Sequence, residues 1–152
     1  MDFEKAPDVQ KLIDDVLSVL HFPHIDKNRV IAFRSHGSVA RARARIWSMP
    51  RIWQLALSIK AHYVIEVISH YFDNQTVEEQ TKTIIHELMH IPKSFSGALV
   101  PHKGSGGRHQ VHHSLVSKLY REYTRGKNGD QGPLSYIKKL VLAKHAGQKG
   151  KR

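Results

Sequence analysis

Residues 86–90 read His-Glu-Leu-Met-His. On a helix, histidines four residues apart project from one face a turn apart, so His86 and His90 can both reach a single metal ion. Glu87 sits one step round from His86, placed to take a proton from a water that the ion acidifies. With zinc as the ion, this set hydrolyses a polarised carbonyl, because the metal brings the pKa of a water to about 7 and stabilises the oxyanion that forms. The chain holds 12 histidines and no cysteine, which excludes thiolate sites and disulfides and restricts metal ligands to His, Asp and Glu.

A catalytic zinc site needs a third protein ligand and an open position. The extended motif that places glycine and histidine three and six residues beyond His90 is absent, since Lys93 and Ser96 stand there. Glu122, on a later helix, offers a distant carboxylate. The remaining candidates are His102, His109, His112 and His113, all in or after the Gly/Pro/Ser-rich stretch Gly97 to Gly107 that reads as a loop over the site.

The elements that must position these residues follow from periodicity. Thr76 and Glu79 form a capping-box pattern, which predicts a helix opening there, carrying the motif and ending near Pro92. Its apolar face is Ile84, Ile85, Leu88 and Met89, so the motif lies at the border of a buried stripe. An amphipathic helix is expected from Asp8, with Val9, Leu12, Ile13, Val16, Leu17 and Leu20 at helical spacing. Val30 to Phe33 and Tyr63 to Ile68 read as strands, with Glu66 the one charge in the second. Ala40 to Trp47 alternates strictly and predicts a strand with Arg41, Arg43 and Arg45 on one face. A helix beginning near Pro50 is expected to bury Ile52, Trp53, Leu55, Ala56 and Ile59. Further helices are expected from about Gln110 to Tyr123 and from Tyr136 to Lys144. The fold class is therefore α+β, with a small twisted sheet against the motif helix and further helices. At 152 residues the chain fits one domain, residues 1–145, with a flexible basic tail over 146–152.

Charge points to a second partner. Lys and Arg number 24 against 13 acids, a net +11 that suits a polyanion. Arg34, Arg41, Arg43, Arg45 and Arg51 fall in a stretch poor in acids, and Lys149, Lys151 and Arg152 end the chain. With Trp47 beside the arginine row, phosphate contact and base stacking make these residues candidates for nucleic-acid binding, with RNA, and ribosomal RNA first, as the expected partner. No apolar run approaches the roughly 20 residues a membrane span needs, and MDFEKAPDVQ has no secretory character, so a cytoplasmic protein without membrane contact is expected.

The segments HELMHIPKSFSGALVPH and VSKLYREY, with RSHGS, IWSMPRIWQLAL and YVIEVIS, closely resemble a phage-type metallopeptidase family found in archaea and their viruses. The likeness runs from about Val30 to Tyr123, two-thirds of the chain. The layout is also similar to the SprT-like zinc proteases, whose third histidine follows the motif in a Pro-His segment at nearly the spacing of Pro101-His102. The resemblance implies a zincin-like fold, Zn2+ as cofactor, a protein substrate, and His102 as third ligand with His109 as runner-up. Two uses of such a fold are expected: a peptidase with Glu87 as base, or an RNA- or ribosome-associated scaffold without proteolysis.

Overall fold

A computed structural model describes residues 1–104, 106, 107 and 110–129. The helix expected over Tyr136 to Lys144 and the basic tail lie outside the described residues, as does His109.

Strand β1 (Asp2–Lys5) leads through Ala6 into helix α1 (Pro7–Val19), which Pro7 opens at a position that needs no amide donor. Val9, Ile13 and Val16 recur at helical spacing and are buried, as the sequence predicts. Strand β2 (Val30–His36) follows, then β3 (Ala44–Trp47), helix α2 (Arg51–Leu57), β4 (Tyr63–Ile68), a single turn α3 (Ser69–Phe72), and helices α4 (Val77–Met89) and α5 (His113–Lys127). The strands form one sheet in the order β1-β2-β4-β3, parallel between β2 and β4 and antiparallel elsewhere. Among the described residues both β1 and β3 are therefore edge strands.

One face of the sheet carries the core. Val30 and Ala32 of β2 and Tyr63, Ile65 and Val67 of β4 join Ile13 of α1, Ile84, Ile85 and Leu88 of α4, and Val116 of α5 in a single buried cluster. Helix α5 packs on α4 and α1 as an outer layer. The architecture is α+β, with the motif helix against a small mixed sheet. Among the described residues no helix is long and apolar enough to cross a membrane.

Two expectations need correction, and one strand was not anticipated. The alternating segment becomes a strand only at Ala44: Arg41 and Arg43 precede it, so the three arginines do not share a strand face. Alternation of Ala and Arg carries little strand preference, and pairing to β4 decides where the strand begins. Helix α2 forms where expected, but its anticipated buried stripe faces solvent and Gln54 is its one buried residue. Finally, Asp2–Lys5 pairs with β2 although its four residues are all exposed and show no apolar alternation.

Candidate metal centre

Helix α4 begins as its sequence dictates, with the Thr76 side chain capping the Glu79 amide and the Glu79 carboxylate accepting from the Thr76 amide. Burial of Ile84, Ile85 and Leu88 fixes its rotation. His86 and His90 then emerge on the side facing the loop that follows the helix. His86 Nε2 lies 3.3 Å from His90 Nε2 and 3.0 Å from His102 Nε2. An ion bonded tetrahedrally to nitrogens at about 2.0–2.1 Å separates those nitrogens by about 3.3 Å, so the three imidazoles fit one metal ion. Among the described residues, His86, His90 and His102 are the one group of three side chains whose ligand atoms all lie within 4.8 Å.

The ring chemistry agrees with the geometry. His90 Nδ1 is 2.6 Å from the Val100 carbonyl oxygen, which can only accept. The proton therefore sits on Nδ1, and Nε2 presents a bare lone pair to its neighbours. Burial, and then the nearby His90 and His102 rings, push the His86 imidazole down to about 4. Burial likewise lowers His90, opposed by its bond to Val100. Both rings are thus neutral near pH 7, the form that ligates. His90 is buried and His102 exposed, which leaves the outer side of the site open to a reactant.

The loop that delivers His102 is pinned at several points. Val100 returns a backbone bond to the His90 carbonyl at 2.8 Å. The buried Tyr63 hydroxyl accepts from the Gly97 amide and donates to the Ala98 carbonyl, each at 2.8 Å. Gly97 has φ +90°, and a Cβ there would lie 2.2 Å from the Met49 carbonyl oxygen, so glycine is required at this crossing. Gln54 completes the seam, donating to the Met49 and Ser96 carbonyls at 2.9 and 2.8 Å.

Glu87 is 7% exposed, and burial raises its carboxyl to about 7, opposed by a backbone hydrogen bond from Ile46. That donor comes from the free edge of β3. The Arg43 carbonyl accepts from the Ile68 amide, so Arg43, Arg45 and Trp47 direct their backbone groups at β4 while Ala44 and Ile46 direct theirs outward. An outward backbone edge therefore runs beside the acid of the motif. A cleft of about 610 Å³ opens from there, lined by His86, Glu87, Ala44 and Arg43 and, further along α4, by Lys82 and Glu78.

The other candidates fall elsewhere. His112 caps α5, its ring accepting from the Leu115 amide, His113 lines the far side of the cleft, and Glu122 is exposed on α5 outside the histidine group. Arg34 is held by Asp8 at 2.7 Å and Asp73 at 3.0 Å. Arg45 lies on the opposite face of the sheet, paired at 2.7 Å with the fully buried Glu66, which also accepts from Trp47 Nε1. Burial alone would raise the Glu66 carboxyl, but Arg45 and Trp47 outweigh it and hold it below the usual range. Neither arginine is thus a free phosphate ligand. Arg41, Arg43 and Arg51 are exposed, and Lys149, Lys151 and Arg152 lie outside the described residues. Sequence reasoning missed Tyr63, Gln54, the Ile46 amide and the Val100 carbonyl. A lone Gln inside an otherwise apolar helix was the one signal available.

No curated protein and no solved structure matches the chain significantly. The family model described as "Putative phage metallopeptidase" matches residues 1–123, which include the whole histidine cluster and Glu87. With that match over most of its length, the chain belongs to the phage metallopeptidase family.

Proposed function

We propose that the protein is a cytosolic zinc-dependent peptidase that cuts a polypeptide laid along the free edge of β3. The observation that carries this reading is the juxtaposition of three converging imidazoles with a buried Glu87 and the outward backbone edge of β3. An all-imidazole set with near-tetrahedral spacing suits zinc. His86, His90 and His102 would hold the ion, which when bound supplies a Lewis acid for the water and for the scissile carbonyl. The chain's own groups do the rest. Ala44 offers backbone partners to an extended peptide, as strand addition requires. Glu87, with its carboxyl near 7, is poised to take the proton of the attacking water and pass it to the leaving amine. The Val100 carbonyl keeps the His90 ring in its ligating tautomer.

The test is metal content together with cleavage of an unfolded protein by wild type and Glu87→Gln. Both should hold one zinc per chain, and the variant should lose turnover by about 10²–10⁴-fold. Equal cleavage by the two proteins would refute the mechanism.

A second reading, association with RNA and ribosomal RNA first, draws on the net +11 and on Arg41 and Arg43, which have no carboxylate at ion-pair distance among the described residues. It predicts RNA binding that weakens with salt and with Arg41→Ala and Arg43→Ala, and absence of binding at low salt sinks it.

A further inference from the structure

Helix α2 presents to water what a soluble helix usually hides. Ile52, Trp53, Leu55 and Leu57 are 68, 58, 59 and 56% exposed, and Ile59 just beyond the helix is 44% exposed. The one buried residue is Gln54, spent on the Met49 and Ser96 carbonyls. Contiguous apolar surface on this scale, on the order of several hundred Å², marks an interaction site.

The position of the patch identifies what it meets. Three residues separate α2 from β3, the strand whose outward edge flanks Glu87. The Met49 amide donates to the Gly97 carbonyl at 3.1 Å, tying the start of α2 to the loop that delivers His102. Helix α2 is thus joined at its start both to the strand whose outward edge flanks Glu87 and to the loop that carries His102. Folded proteins hide both extended backbone and large apolar side chains, whereas a non-native chain offers the two together. A lipid surface has no use for the strand edge, and a second folded copy that paired with it would leave the apolar face of α2 without a partner segment.

We infer that the exposed face of α2 docks an apolar segment of a non-native polypeptide substrate and holds it beside the site where the chain is cut. The inference rests on the peptidase reading and extends it to a substrate class: unfolded or damaged protein with apolar stretches. Docking on α2 raises the local concentration of the segment that enters the cleft, so it acts on long chains and not on short peptides.

The experiment uses the full chain with zinc bound. Fluorescein-labelled, dephosphorylated β-casein is titrated with Glu87→Gln protein, which binds without cutting, and read by anisotropy. About 0.5 M NaCl suppresses attraction due to the net charge. Adding Ile52→Ser and Leu55→Ser should weaken binding by about tenfold or more, and Ile52→Leu with Leu55→Met should restore it. With Glu87 intact, the same serine pair should leave cleavage of a six-residue peptide unchanged. Equal casein affinity with and without the serine pair overturns the proposal, even if wild type cuts casein. A serine pair that leaves casein binding intact but abolishes self-association in sedimentation, or binding to phosphatidylglycerol vesicles, assigns the face elsewhere and also overturns it. If casein binding falls as expected but wild type cuts nothing, the docking surface stands and the peptidase reading fails.

Discussion

Helices α4 and α2 both read as apolar-faced helices in the sequence, and the structure treats them in opposite ways. In α4, Ile84, Ile85 and Leu88 are fully buried against the sheet while Glu78, Glu79 and Lys82 take the solvent side. In α2, RIWQLAL has one charge, no polar face, and its apolar residues stay in water. Periodicity predicts that a helix forms, but burial needs a layer to receive it. Helix α4 has the sheet, whereas α2 has no such layer among the described residues and is tied down through Gln54 and the Met49–Gly97 backbone bond. The first helix builds the site, and the second leaves an apolar surface beside it.

The comparison can be broken most forcefully at the core of α4. Ile84→Ala should cost about 2–5 kcal/mol in a denaturant titration, because a fully buried branched side chain leaves a cavity under the sheet. A cost below 1 kcal/mol would show that α4 is not anchored as described.

Next in size is a pH effect at Glu87. Its folded value of about 7 lies above the ordinary 4.5, so the stability it contributes is present below pH 4.5 and lost as pH rises through 7. His86 runs the other way: with a folded value of about 4, its contribution is present above pH 6.5 and lost as pH falls. Comparing metal-free wild type with Glu87→Gln isolates the carboxyl. Relative to wild type, the variant should gain up to about 3 kcal/mol between pH 4.5 and 8, measured by urea unfolding at each pH. A pH-independent difference would mean that Glu87 is not desolvated.

The smallest effect belongs to α2. Leu55→Ala should change stability by no more than about 0.5 kcal/mol, since the side chain is already mostly in water. A loss like that of Ile84→Ala would restore the buried stripe and remove the docking surface.

Legibility in the sequence followed the same division. The α4 cap, the two central strands and the His86, Glu87, His90 triplet are local patterns, and each was readable. The approach of His102 to His86 and His90 was suggested by family resemblance alone, because Pro101-His102 lies across a loop whose path no periodicity fixes. Arg34 with Asp8 and Asp73, and Arg45 with Glu66, are pairs made by folding between residues distant in sequence, so the basic stretch read as freer than it is. The Ile46 amide and the Val100 carbonyl have no letter of their own, and only the register of β3 and the turn after α4 reveal them.

The central claim is that His86, His90 and His102 hold one ion beside Glu87. The most direct measurement is anomalous diffraction at the zinc edge from crystals of the zinc-loaded protein. The account predicts a single strong peak about 2.0–2.1 Å from the Nε2 atoms of all three histidines. A peak bound by His86 and His90 without His102, or no peak on α4, would contradict it.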